Sequence, residues 1–161
     1  MRHAKAEQVG PTDFERALTP RGHKDAAAVG RWLVAQEIRP DAAVVSAATR
    51  AHQTWDGVCR GAGWELAPTL DRGLYAADGD TALDILRAVD DNAVCVVLLG
   101  HNPTVAYLAQ LLADGEGDVE AGNGLAIGFP TSATAVLTFS GSWANLDFGT
   151  ASLRGFHVGR G

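Results

Sequence analysis

The sequence predicts an α/β fold with a mostly parallel central sheet, on three observations. Strand-like apolar runs alternate with helix-like segments along the first two thirds of the chain. The segment 93–99 (AVCVVLL) is apolar without interruption, as in a parallel strand covered on both faces. The helical segments carry apolar residues three and four positions apart, which gives each a single packing face. Helices on both faces of such a sheet make a three-layer α/β sandwich.

Taken in order, residues 6–17 are polar and include Gly10-Pro11-Thr12-Asp13, which reads as a loop. Thr19-Pro20 starts a helix, with Thr19 as N-cap and Pro20 in the first turn. Val29, Trp32 and Leu33 mark its apolar side, and it should end near Gln36-Glu37. Residues 41–46 (DAAVVS) form a short buried strand, followed by an Ala-rich helix to about Arg60. A short strand is expected over 64–67, a surface excursion over 68–80, and a helix over 81–89 carrying Leu83, Leu86 and Val89. After the strand at 93–99, Asn102-Pro103 opens a helix with Val105, Leu108, Leu111 and Leu112. Residues 114–128, glycine-rich and acidic, read as a mobile loop. Residues 133–139 and 143–148 read as two strands joined by Ser140-Gly141-Ser142, a hairpin or edge pair.

The bulk properties bound the function. The 161 residues suit one domain over 1–161, and 47% hydrophobic with 20% charged residues is ordinary for a globular chain. A net charge of -6 argues against general nucleic-acid binding, although a few cations gathered in one cleft can still hold an anion. Cys59 and Cys95 are too few for a disulfide framework and read as buried thiols. With no apolar leader and no apolar run long enough to span a bilayer, the expectation is a cytoplasmic protein with no membrane partner.

Ligands of open α/β sheets bind beyond the carboxyl ends of the strands, so the junctions there carry the chemistry. Arg2-His3 precedes a glycine- and proline-bearing loop, and read alone His3 is a solvated terminal residue. At Ser46-Ala47-Ala48-Thr49-Arg50, Ser46 can cap the helix and leave Arg50 about one turn inside. A cation there opposes the helix dipole, which an anion bound at the same edge would offset. A solvated surface Arg is the plainer reading. His101 in Gly100-His101-Asn102-Pro103 stands at the end of the clearest strand, and a satisfied structural histidine is the alternative.

Together Arg2, His3, Arg50 and His101 make a compact site for a tetrahedral anion, with arginine forks suited to phosphate oxygens. No glycine-rich phosphate loop with its lysine is present. The histidines lack metal-ligand spacing and arginine neighbours would repel a cation, so neither metal nor other cofactor is expected.

These residues resemble the histidine phosphatase superfamily, marked by Arg-His at the end of its first strand, and most closely its small SixA-type phosphohistidine phosphatases. Arg2-His3-Ala4-Lys5-Ala6-Glu7 resembles the opening motif of that group. Asp13-Phe14-Glu15-Arg16 with Leu18-Thr19-Pro20-Arg21-Gly22 resembles its D-x-x-R-x-L-T-x-x-G continuation. Residues 46–54 (SAATRAHQT) resemble S-P-x-x-R-A-x-Q-T, with Ala47 in place of the proline, and Gly100-His101-Asn102-Pro103 matches G-H-N-P. Leu74-Tyr75 and Pro130-Thr131-Ser132-Ala133 fall where the family has similar pieces.

The resemblance implies a phosphoglycerate-mutase-like fold; only Met1 precedes Arg2-His3, so the first strand is truncated here, and either the recorded start is an internal methionine or the fold tolerates the loss. It implies His3 as the nucleophile that carries the phosphoryl group, with Arg2, Arg50 and His101 clamping the phosphoryl oxygens. Its larger members carry an acidic proton donor on an inserted segment. The nearest acidic residues here, Glu7, Asp13, Asp71 and Asp78, read as solvated loop charges. Without a strong general acid a phosphohistidine, in a protein, is the favoured substrate. A small phosphorylated molecule hydrolysed by a general phosphomonoesterase is a second reading. A phosphate-binding module without catalysis is a third. Arg16 and Arg21 could line the entrance or form surface salt bridges, and the four tryptophans read as packing.

Overall fold

The computed structural model describes residues 1–161 and contains five strands and five α-helices. Strands β1 (Ala42–Ser46), β2 (Thr69–Asp71) and β3 (Val96–Leu99) form a parallel sheet in the order β2-β1-β3. Their register sets Val45 opposite both Leu70 and Leu99. Strands β4 (Ala133–Thr138) and β5 (Ser152–Val158) form a separate antiparallel pair. Residues 1–3 lie between the two sheets. Arg2 bridges Gly100 in parallel, its N–H donates to the Ala133 carbonyl (2.9 Å), and the His3 N–H donates to the Gly100 carbonyl (3.1 Å). The first strand is therefore short but seated on both sides.

Side-chain alternation along the parallel strands builds the layers. Ala43, Val45 and Leu99 pack with Val29, Leu33, Trp55 and Val58 of α1 (Pro20–Ala35) and α2 (Thr49–Ala62). Val44 and Leu98 face the other way, onto Leu83, Leu86, Leu108 and Leu112 of α3 (Gly79–Arg87) and α4 (Thr104–Leu112). Helices on both faces of the parallel sheet give the sandwich expected from the sequence. Helices α1 and α2 approach closely because glycine lines their contact. A Cβ on Gly30 would sit 2.1 Å from the Val58 carbonyl oxygen, and one on Gly61 2.1 Å from that of Ala27.

Several local expectations are corrected. Residues 64–67 form no strand. The third ladder position falls to Thr69–Asp71, while Leu66 stays outside it and accepts a hydrogen bond from Trp55 Nε1 (2.9 Å). The excursion at 68–80 is consequently anchored, with Leu74 1% exposed. The supposed mobile loop at 114–128 contains α5 (Val119–Ile127), started by Asp118, whose side chain accepts from the Ala121 N–H (2.8 Å). Residues 143–148 are not a strand either. Trp143–Asn145 forms one 3₁₀ turn, Trp143 Nε1 donates to the Ala93 carbonyl (2.6 Å), and the partner of β4 is Ser152–Val158. Cys59 and Cys95 are only half-buried, and burial raises both thiol pKa values.

Apolar space lies between β3 and β4 beside Met1. It holds a cavity of about 130 Å³ and a larger one of about 440 Å³, both bordered by Met1, Val96, Leu98, Ala135, Leu137 and Trp143. No helix is long and apolar enough to cross a membrane.

Candidate active site

The four residues singled out in the sequence come together at the carboxyl ends of β1 and β3. His3, Arg50 and His101 are 9%, 5% and 8% exposed, and the His3 and His101 rings lie 5.0 Å apart. Backbone bonds hold the His3 segment from several sides. The Ser132 N–H donates to the His3 carbonyl (3.1 Å), and the Ala4 N–H donates to Thr54 Oγ1 (2.9 Å). Thr54 Oγ1 in turn donates to the Arg50 carbonyl (2.6 Å), so one hydroxyl ties the His3 strand to α2. Ser132 takes a left-handed backbone (φ 63°), the bend that brings β4 in beside Arg2.

The partners of His3 assign its proton. Nδ1 lies 2.7 Å from the Ala4 carbonyl oxygen, which can only accept, so Nδ1 carries the hydrogen. Arg50 Nε, which can only donate, lies 3.3 Å from Nε2. Nε2 is therefore the unprotonated nitrogen. Burial lowers the His3 pKa to about 4; the Ala4 hydrogen bond opposes this, while Arg50, Arg2 and Arg16 assist it. Burial, with His3 and Arg50 beside it, likewise lowers His101 to about 3. Both rings are neutral at neutral pH.

Arg50 is the second residue of α2, whose N-cap position, Ala48, supplies no side-chain cap. The expectation of Ser46 as cap is corrected: the helix starts later, and Ser46 Oγ instead meets His101 Nε2 at 2.8 Å. Asn102 lies before the N-cap position of α4, Pro103. Its Nδ2 donates to the Phe129 carbonyl (2.8 Å), which also accepts from Arg2 Nη1 (3.0 Å). Two buried polar atoms of the site are left without partners, Arg2 Nε and His101 Nδ1. Buried polar atoms are rarely left unsatisfied, and the His101 ring that carries one of them lies 5.0 Å from the His3 ring. A ligand rich in acceptor oxygens would satisfy them. No group of three or more His, Cys, Asp or Glu side chains is placed to hold a metal ion.

Residues 1–78 match the histidine phosphatase superfamily (branch 1). A Nakamurella multipartitia protein described as phosphohistidine phosphatase SixA superposes with a TM-score of 0.83 at 30% identity, covering 99% of this chain and 93% of its own. The chain belongs to the histidine phosphatase superfamily. An Agrobacterium tumefaciens protein described in the same way matches with a TM-score of 0.76 and 30% identity over 98% of this chain and 94% of its own. An uncharacterized protein of Mycobacterium tuberculosis is 39% identical over 99% of this chain and 100% of its own length.

Within this histidine phosphatase, sequence reasoning misjudged one residue and passed over another. Asp13 is not a free loop charge. Arg50 Nη2 (3.2 Å) and the Tyr75 hydroxyl both donate to its Oδ2, and Arg16 Nε donates to Oδ1 (2.8 Å). The Tyr75 and Arg16 hydrogen bonds, with the charges of Arg50 and Arg16, lower the Asp13 pKa to about 2. The Tyr75 ring meets the His101 ring edge-on at 5.3 Å. Asp71 and Asp78 serve backbone N–H groups, at Leu74 and Thr81. Arg21 pairs with Asp25 (3.2 Å). Trp55 is 1% exposed, as core packing requires.

Proposed function

We propose that this protein hydrolyses a phosphorylated histidine, most readily one carried by a protein, through a phosphoryl group held transiently on His3. The observation that carries the reading is the unprotonated Nε2 of His3, set beside Arg50 and two buried, partnerless polar atoms on Arg2 and His101. His3 Nε2 attacks phosphorus in line, its lone pair forms the new N–P bond, and the bond to the leaving nitrogen breaks with its electrons. Arg2, Arg50 and His101 hold the equatorial oxygens as negative charge shifts between them. Water then attacks the phosphorylated His3, releasing inorganic phosphate and restoring the free ring.

The ionised state of Asp13 supports a phosphohistidine over an alkyl phosphate. Asp13, held by Arg50 and Tyr75, is ionised at neutral pH and has no proton to give. A histidine leaving group needs less help than an alkoxide. The relatives described as phosphohistidine phosphatases point the same way.

The test compares turnover of a phosphohistidine-bearing protein with that of a sugar phosphate, in the parent chain and in His3→Ala. The expected result is preference for phosphohistidine and a loss of about a thousandfold or more in the variant. Faster turnover of the sugar phosphate would make the protein a general phosphomonoesterase. No turnover of either would leave a binding module.

A further inference from the structure

We propose that Asp13 is a positioning residue: its carboxylate, locked by Tyr75, fixes the Arg50 guanidinium against the nucleophile. This inference rests on the function proposed above and adds a part to it. A guanidinium offers five N–H groups. In Arg50, Nη1 donates to the Asp13 carbonyl (2.7 Å), Nη2 to Asp13 Oδ2 (3.2 Å), and Nε faces His3 Nε2 (3.3 Å). Three of the five are thereby directed, two of them by Asp13, and the remaining two are left for a ligand.

Arg50 needs this restraint. It stands in the first turn of α2, against the helix dipole, with Arg2 and Arg16 nearby. Unrestrained, these repulsions would push its long side chain outward. Asp13 supplies the opposing charge and is itself fixed by Arg16 Nε (2.8 Å) and the Tyr75 hydroxyl. The Tyr75 ring lies 5.6 Å from Arg50 Cζ and 5.3 Å from the His101 ring, so one side chain touches three members of the cluster. The loop carrying Asp13 is pinned to the start of α2 by the Thr49 N–H, which donates to the Phe14 carbonyl (3.1 Å).

A role in stability alone does not fit the exposure. The Asp13 side chain is 57% exposed, and ion pairs that open to water contribute little to folding. The effect of removing the charge should fall on turnover and anion binding, with little change in melting temperature.

The test uses the full chain, phosphohistidine hydrolysis, inhibition by inorganic phosphate, and Tm. In Asp13→Asn, kcat should fall about tenfold to a hundredfold, phosphate should inhibit correspondingly more weakly, and Tm should move by no more than about 2 °C. Tyr75→Phe should lower kcat in the same direction by a smaller factor, and the double variant should be no worse than Asp13→Asn alone. If Asp13→Asn also loses Tm, Tyr75→Phe decides, because it keeps every Arg50 hydrogen bond; unchanged kcat there overturns the inference. So do kcat and phosphate inhibition within twofold of the parent in Asp13→Asn, or tighter phosphate inhibition, which would show the carboxylate competing with the anion. Failure of the proposed function is separate, because the parent chain itself would then carry no phosphate on His3.

Discussion

Residues 1–3 divide two regions of opposite character. On one side, at the carboxyl ends of the parallel strands, polar groups are tied down one to another: His3 to Ala4 and Arg50, His101 to Ser46, and the Arg50 carbonyl to Thr54. On the other side, past Met1, β3 and β4 face each other across apolar space with no strand between them. The contrast teaches that His3 is fixed by its bonds to neighbouring elements. Four bonds hold it: Arg2 N–H to Ala133, His3 N–H to Gly100, Ser132 N–H to His3, and Ala4 N–H to Thr54. Order at His3 comes from hydrogen bonds across to neighbouring elements.

The largest effect expected concerns the charge state of the polar side. A histidine at its ordinary pKa of 6.5 would be almost wholly protonated at pH 5 and unable to attack, whereas His3, lowered to about 4 chiefly by burial, stays mostly neutral. The acid limb of kcat/KM for a phosphate ester should therefore fall near pH 4, and at pH 5 activity should exceed that of an unperturbed histidine by about thirtyfold. The same shift affects folding. The unfolded chain binds the proton first, so stability declines as pH falls from 6.5 toward 4. An acid limb near 6.5 would show that His3 is more open to water than the structure describes.

Next comes the hydroxyl that links the two sides of the site. Thr54 is fully buried, and Thr54→Val leaves the Ala4 N–H without its acceptor and the Arg50 carbonyl without its donor. A loss of about 1–3 kcal/mol in denaturant unfolding is expected, with reduced turnover because His3 loosens. A variant that unfolds earlier yet turns over normally would show that the nucleophile does not depend on this tie.

The smallest effect belongs to the apolar side. Ala135 borders both cavities, and Ala135→Val adds methyl groups into empty space. A gain of up to ~1 kcal/mol is expected, read as a rise in Tm, with kcat unchanged. A change in kcat from this substitution would mean that the two regions are coupled.

How much of this was readable from the sequence follows the same division. Arg2, His3, Arg50 and His101 were legible because each stands at a junction between elements, where motif and chain direction agree. Asp13 was visible as an acid, but its bonds reach 37 residues to Arg50 and 62 to Tyr75, and no local pattern announces such pairings. Helix α5 was hidden by Gly122 and Gly124, which read as loop. A Cβ on Gly124 would sit 2.6 Å from the Phe156 ring, so that glycine serves the packing of α5 on β5. Strand β5 escaped notice because Arg154 and Gly155 interrupt its alternation and the ladder shifts register between Val136 and Leu137. The strip past Met1 was legible only as a shortened first strand. The bonds of residues 1–3 to Gly100 and Ala133 depend on tertiary pairing.

The central claim is that His3 Nε2 takes the phosphoryl group. The most direct measurement mixes the enzyme with a phosphohistidine protein labelled on phosphorus and quenches it in alkaline denaturant within a turnover. The isolated chain is then mapped for label. Label on the peptide containing His3, stable to base and released by acid, is the result predicted. An unlabelled chain, with hydrolysis continuing undiminished in His3→Ala, would contradict it.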